Sequence, residues 1–159
     1  MDKPPHVSAA AIAAARSEVA ADLRLHAHQV GNAFVQDYYA KLRHSPEQVR
    51  GFYHEGSRLT RPNAGGGVDT VTTLEDINRK IMAMDAATRT TVRERVSCFG
   101  GANGVILIMV IGSHDAPNNS RTRFNQTFVI GPREGGRYSV LDDTLSYDFR
   151  DNAPTLRRL

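Results

Sequence analysis

The chain has 159 residues, a formal net charge of +3 and a single cysteine, Cys98. This length suits one domain with its own apolar core, and a lone cysteine excludes an intrachain disulfide and a multi-cysteine zinc site while fitting a reducing compartment, the cytoplasm or nucleus. The positive charge comes mainly from scattered arginines, which is typical of a solvated surface rather than a nucleic-acid-binding stripe, and no apolar run approaches the roughly 20 residues of a membrane-spanning helix.

Apolar residues at steps of three and four predict the first helix. They fall at Val19, Leu23, Ala27, Val30, Phe34, Tyr38 and Leu42. Gly31 interrupts this stripe at a local cost of about 1 kcal/mol relative to Ala. One bent helix would satisfy the pattern, but we favour two pieces, an accessory helix followed by a core helix. Ser45 as N-cap and Pro46 at the first helical position then predict a short helix that ends near Phe52.

The middle and end of the chain carry mostly strand signals. Two short strands, Arg58–Thr60 and Val68–Val71, flank a turn rich in glycine. Thr73 followed by Asp76 is a capping pattern that begins a helix running to about Met84. Four longer apolar segments, separated by turns, follow at residues 90–99, 105–111, 124–130 and 138–147. This order predicts an α+β fold with the helices on one face of an antiparallel sheet.

The segment Val105–Ile111 is apolar at every position. A half-exposed antiparallel strand should alternate, so both of its faces should be covered. Helices can cover one face. We favour a second copy of the same sheet as the cover of the other face. The alternatives are a fully internal strand in a monomer, or a hydrophobic edge hidden by the N-terminal extension.

Motifs for metal, cofactor or nucleophilic chemistry are weak. His26 and His28 lie two residues apart in a helical stretch and so face different ways, unlike a helical zinc pair at i, i+4. Gly65–Gly67 lacks the Lys-Ser/Thr of a phosphate-binding loop, and Cys98 within a predicted strand favours packing over nucleophilic attack. We therefore expect no metal and no cofactor.

Asp142 and Asp143 form the one constellation that could support acid–base chemistry. Alternation along a strand sends one of these carboxylates toward the interior of the fold. A buried carboxylate with a raised pKa could act as a base. We favour the simpler interpretation, in which one aspartate faces solvent and the other is hydrogen-bonded to a helix N-terminus or an arginine.

Several segments in the right order resemble a nuclear transport factor two-like domain. They are Val30–Tyr39, Phe52–Tyr53, Ile77–Met82, Phe124–Ile130 and Val140–Asp143. Within that superfamily the chain is similar to the N-terminal domain of the Ras-GTPase-activating-protein-binding (Rasputin) stress-granule proteins. The resemblance implies a cone-shaped fold with three helices on a strongly bent antiparallel sheet, preceded here by an accessory helix. It divides the chain into an Ala-rich and helical extension at 1–28, the domain at 29–150 and a tail at 151–159.

The resemblance also implies a non-catalytic, homodimeric protein-interaction domain that binds short Phe-Gly-containing peptides. Its groove would place three aromatic residues, Phe34, Phe52 and Tyr138, inside a rim of Val30, Asp37, Arg50 and Arg137. Tyr138 stands where the resembled proteins carry Phe. The open face of the sheet would form the dimer, with an interface that includes Ile106, Ile108, Val110, Gln126 and Phe128.

Such domains act as hubs that recruit other proteins to messenger ribonucleoprotein particles or stress granules. By this resemblance we expect RNA contact only indirectly or through other domains, no membrane contact, and a cytoplasmic location with a nuclear or nuclear-envelope pool.

Other functions of the same superfamily remain open. The nuclear transport factor carries Ran-GDP through an acidic loop, and the corresponding segment here, residues 114–120, contains one acid. The small partner subunit of the messenger-RNA export receptor has a similar Arg-Phe-Asn-Gln-x-Phe segment, as in Arg123–Phe128, and works as a heterodimer. A small-molecule lyase or isomerase would need Asp142 or Asp143 to line a cavity.

Overall fold

The computed structural model describes residues 7–115 and 120–147. Its helices are α1 (Ala9–His44), α2 (Leu74–Met82) and α3 (Ala86–Arg89), with 3-10 helices at Pro46–Phe52, Ala102–Gly104 and Glu134–Gly136. Its strands are β1 (Arg58–Pro62), β2 (Val68–Val71), β3 (Thr91–Gly100), β4 (Ile106–Asp115), β5 (Arg121–Pro132) and β6 (Tyr138–Tyr147). The predicted tail 151–159 and the middle of the 114–120 loop lie outside the described residues. None of the described helices is long and apolar enough to cross a membrane.

The six strands form one sheet in the order β2-β1-β6-β5-β4-β3. β3 to β6 form the predicted antiparallel meander, and β1 pairs with β2 as the predicted hairpin. β1 also pairs with β6 in parallel, so the sheet is mixed and not wholly antiparallel as expected. No tight turn joins these two strands, and therefore no local signal fixes their relative direction. The α+β fold class is confirmed.

α1 is a single helix of 36 residues, so the expected division into two pieces at Gly31 is wrong. Gly31 is buried against β3, where an added Cβ would overlap the Cys98 sulfur. The glycine therefore lets the helix and the strand approach closely, and the intact hydrogen-bonding of α1 outweighs its poor helix propensity. The predicted extension 1–28 and domain 29–150 meet inside this continuous helix.

Of the two helix caps predicted from the sequence, one forms a side-chain hydrogen bond and the other does not. The Thr73 hydroxyl accepts a hydrogen bond from the Asp76 backbone N–H at 3.1 Å, which confirms the predicted cap of α2. The Ser8 hydroxyl caps α1 in the same way through Ala11. Ser45 does precede the helix that begins at Pro46, but its side chain makes no capping hydrogen bond.

The core lies between α1 and one face of the sheet, which we call the inner face. Helix residues such as Val35 and Tyr38 pack there against strand residues such as Ile108 and Phe128. The rings of Tyr38 and Phe128 meet edge to face with centroids 4.8 Å apart, a favoured aromatic geometry. The described part of α1 before Ala27 contributes no buried side chain to this core.

The five residues predicted at a dimer interface are instead buried within the chain. They are Ile106, Ile108, Val110, Gln126 and Phe128, each at most 2 % exposed. Because side chains alternate along a strand, the apolar run of β4 also sends Leu107 and Met109 to the opposite, outer face. Both are exposed there, with Phe99 beside Leu107 on β3. Side chains buried this deeply cannot meet a second copy, so these five interface residues were wrong. We call the exposed residues Phe99, Leu107 and Met109 the outer patch.

Candidate functional site

An open groove of about 510 Å³ lies between α1, the 3-10 helix Pro46–Phe52 and the start of β6. Its walls come from Val30, Ala33, Phe34, Asp37, Lys41, Gln48, Gly51, Phe52, Gly136, Arg137 and Tyr138. The α1 members recur at steps of one, three and four, so one helix face forms a whole wall. Six of the seven residues predicted for the groove are brought together here. Arg50 is exposed on the 3-10 helix and is not among the lining residues.

Two phenylalanines form the apolar floor of the groove. Phe34 and Phe52 meet edge to face with ring centroids 5.3 Å apart. Phe34 is also held by Phe128 of the core, again edge to face at 5.2 Å, and is 8 % exposed. Phe52 is half-buried and so presents more of its ring. The core therefore holds this pair in place, and the two rings form an aromatic surface on the floor of the groove.

Charged groups border the same floor. The Lys41 ammonium lies 5.0 Å from the centroid of the Phe52 ring and 3.0 Å from the Asp37 carboxylate. A cation over the ring face is attracted to it and, together with the ion pair, holds the lysine stem against the aromatic surface. Sequence reasoning missed Lys41, although it lies seven residues after Phe34 and hence on the same helix face.

Tyr138 lies at one end of the groove, beside the part of α1 that precedes Val30 and leads away from the core. Its hydroxyl lies 3.1 Å from Nε2 of His26, within hydrogen-bonding distance. The bond joins the last strand to the part of α1 that was predicted to be an accessory extension. Beyond Tyr138 the surface continues into a second open depression of about 740 Å³, whose lining includes Arg133 and Arg137.

Asp143 occupies the interior of the fold, apart from the groove. It is fully buried, and the Arg61 guanidinium donates to both of its oxygens at 2.9 and 2.7 Å. The Tyr53 hydroxyl and the Gln126 amide donate at 2.6 and 2.8 Å. Asp142 points to the other face, 3.8 Å from Arg58. The pairing of one aspartate with an arginine is thus confirmed.

The ionisation states of this cluster follow from its partners. Burial alone would lower the pKa of Arg61, but the Asp143 charge and its hydrogen bonds raise that pKa above the ordinary value. Burial, followed by the Asp143 charge, raises the pKa of Tyr53 well above its usual range, so the hydroxyl stays protonated and donates. The neighbouring cavity, lined by Tyr38, Arg61 and Gln126 among others, holds about 20 Å³. That volume suits a water molecule and not an organic substrate.

Within residues 7–115 and 120–147, the histidines, cysteine and carboxylates form no group of three or more placed to hold an ion. Burial raises the pKa of the Cys98 thiol, which disfavours the nucleophilic thiolate.

Comparison with known proteins adds a family relationship. The family described as the nuclear transport factor 2 (NTF2) domain matches residues 30–147. A protein of Arabidopsis thaliana named nuclear transport factor 2 is 36 % identical over 121 residues, which cover 76 % of this chain and 26 % of that protein. A G3BP-like protein of Schizosaccharomyces pombe is 28 % identical over 119 residues, covering 75 % and 27 %. The chain spans about a quarter of the length of both relatives.

Among solved structures, the yeast Ubp3-associated protein Bre5 is similar with a TM-score of 0.62 and 27 % identity. The alignment covers 73 % of this chain and 92 % of the Bre5 chain.

Proposed function

Because the chain belongs to the nuclear transport factor 2 domain family, we propose that it is a non-catalytic interaction domain that binds short Phe-Gly-containing peptides in the groove. The observation that carries this proposal is the aromatic floor of Phe34 and Phe52 with Tyr138 at one end. A peptide phenylalanine packs against these rings and gains about 0.5–1.5 kcal/mol per well-oriented pair beyond simple burial. A following glycine lets the peptide backbone approach the groove closely, because it lacks a Cβ.

A catalytic role is not part of this proposal. The interior carboxylate that an isomerase or lyase would need is that of Asp143. Its negative charge is balanced by Arg61, and its oxygens also accept hydrogen bonds from Tyr53 and Gln126. The cavity beside its partners has room for about one water molecule, at 20 Å³. Binding in the open groove therefore accounts for the geometry better than chemistry in the interior.

Substitution of Phe52 tests the groove. Phe52→Ala removes the more exposed ring of the floor and is expected to weaken binding of a fluorescent Phe-Gly peptide about tenfold, as measured by anisotropy. Phe99→Ala is the matched control, since it removes an exposed ring on the outer face and should leave the intrinsic affinity unchanged. Equal affinities for wild type and Phe52→Ala would place the peptide elsewhere.

We further propose that two chains associate through the outer patch to form a homodimer. This patch lies on two adjacent strands of one face and consists of Phe99, Leu107 and Met109. An exposed apolar surface of this kind often marks a protein–protein interface. Met109→Asp places a charge within the patch and is expected to convert the dimer to a monomer in light scattering at micromolar concentration. Met82→Asp, at an exposed position at the end of α2, should leave the mass unchanged. A wild-type monomer at all concentrations would contradict the dimer.

With two grooves per dimer, such a domain can act as a hub that gathers peptide-bearing proteins into ribonucleoprotein particles or stress granules. The G3BP-like relative and the Ubp3-associated protein Bre5 support this role, and the cytoplasm, with a nuclear pool, is the fitting location.

Transport between nucleus and cytoplasm is the second candidate, favoured by the Arabidopsis relative. As a messenger-RNA export subunit the chain would need a different partner and would not self-associate, so the light-scattering experiment separates the two functions. A Ran-GDP carrier is less well supported, because Asp115 is the single acid in the 114–120 segment.

A further inference from the structure

The exposed half of α1 continues the helix face that lines the groove. Groove residues on that face begin at Val30, and the i, i+4, i+7 spacing traced backward reaches Leu23, Val19 and Ile12. These three side chains, which we call the ridge, are 61 %, 58 % and 42 % exposed. The described part of the chain therefore leaves an apolar stripe uncovered, in line with the groove.

The ridge and the groove meet at His26. This residue lies on the same face, three positions after Leu23 and four before Val30, and its Nε2 is 3.1 Å from the Tyr138 hydroxyl. Just beyond it, Ala27 is buried and an added Cβ on Gly100 would contact it at 3.5 Å, so the helix is seated on the sheet there. A ligand that leaves the groove past Val30 and Tyr138 would meet the ridge next.

Charge argues against a second copy as the occupant of the ridge. Arg16 lies on the ridge face between Ile12 and Val19, and it forms no ion pair with the described residues. In the heptad register of this face, parallel pairing of two copies would set Arg16 against Arg16, and antiparallel pairing would set it against Ile12, Val19 or His26 of the other copy. None of these directly facing positions carries a carboxylate. A different chain with an acidic residue at this point supplies one.

We propose that the ridge extends the groove and holds an amphipathic helical segment of the same partner chain, next to its Phe-Gly residues. The segment carries apolar residues at helical spacing that pack on Val19 and Leu23, and an acidic residue opposite Arg16. This inference rests on the proposed function. Binding would then have two parts, an aromatic contact in the groove and a helix-on-helix contact along α1.

The test compares three kinds of synthetic peptide on the whole chain by anisotropy. One is a short Phe-Gly peptide, one adds an 18-residue amphipathic helix before or after it, with Leu at i, i+4, i+7 and i+11 and a Glu on the same face, and one scrambles the order of that helix. One of the two extended peptides is expected to bind about tenfold more tightly than the short peptide, since two apolar side chains are buried. The scrambled peptides should show no gain.

Variants of α1 show which residues provide the added affinity of the extended peptide. Val19→Asp/Leu23→Asp should abolish it and leave the affinity for the short peptide unchanged. Leu25→Asp is the matched control, because Leu25 is 55 % exposed but lies on the opposite side of the same helix.

Three results would overturn the proposal. If the short peptide binds but neither extension adds affinity, the ridge is not part of the site, while the groove assignment stands. If the short peptide does not bind, the proposed function fails and this inference falls with it. A molar mass that drops in light scattering for Leu23→Asp but not for Leu25→Asp would assign the ridge to a second copy of the chain.

Discussion

Arg61→Met is expected to lower the free energy of unfolding by about 3–5 kcal/mol, because it leaves a fully buried carboxylate without its counter-charge. Arg61 is the one cation that contacts Asp143 in the described residues, and it does so through both carboxylate oxygens. The remaining donors, Tyr38, Tyr53 and Gln126, carry no charge. Urea unfolding followed by circular dichroism measures the loss.

Two further variants make this prediction specific. Arg58→Met removes the exposed partner of Asp142 at 3.8 Å and should cost less than about 1 kcal/mol. Arg61→Met/Asp143→Leu removes both buried charges and should be more stable than Arg61→Met alone. A double variant that is no more stable than the single one would show that the loss comes from packing and not from the unpaired charge.

Gly31→Ala is expected to destabilise the protein by about 2 kcal/mol, even though alanine favours a helix more than glycine does. The new Cβ would overlap the sulfur of Cys98 and lie 3.0 Å from its Cβ. Either α1 lifts away from β3 or the cysteine leaves its position, and both moves loosen the core. The midpoint of thermal or urea unfolding reports the change.

Removing the opposing sulfur should rescue this variant. Gly31→Ala/Cys98→Ala is expected to regain at least half of the lost stability, so the two substitutions will not be additive. Gly51→Ala is the control, since a Cβ there meets no atom within 4 Å. If Gly31→Ala were as stable as Gly51→Ala, close packing would not be the reason for the glycine.

Local signals predicted much of the fold. Thr73 and Asp76 are three residues apart, and their capping bond forms within one turn, so the sequence alone locates the start of α2. The family resemblance, confirmed by the match over residues 30–147, supplied the overall architecture. The predicted helix break at Gly31 was wrong because this glycine serves the close contact of α1 with Cys98. That cysteine is a distant residue on β3 that no local pattern relates to the helix.

The uniform apolarity of β4 predicted that both of its faces need cover, but it could not tell the faces apart. Alternation fixes only that Ile108 and Met109 point opposite ways. Which of them meets α1 depends on the approach of the helix to the sheet, and the structure assigns Ile108 to the core. The residues predicted for the interface, on β4 and β5, were therefore those whose side chains face the core.

The candidate site was predictable in part. The resemblance supplied the aromatic residues, and helical spacing from Phe34 could have added Lys41. The bond between His26 and Tyr138 joins residues that no motif relates, so it needed the structure. The partner of Asp143 likewise depends on the parallel pairing of β1 with β6, a register that the sequence does not display.

The parallel pairing of β1 with β6 also sets the order in which parts of the sheet can assemble. β1 pairs with β2, its hairpin partner, and with β6, the last strand described, so Arg61 meets its counter-charge only after nearly the whole domain has been synthesised. During synthesis on the ribosome, Arg61 of the β1–β2 hairpin therefore stays without its counter-charge until α2 and four more strands have emerged. Among the described strands β6 is the last to be synthesised, so a nascent chain stalled before Tyr138 would leave the backbone groups along the β6-pairing edge of β5 unpaired and accessible to chaperones.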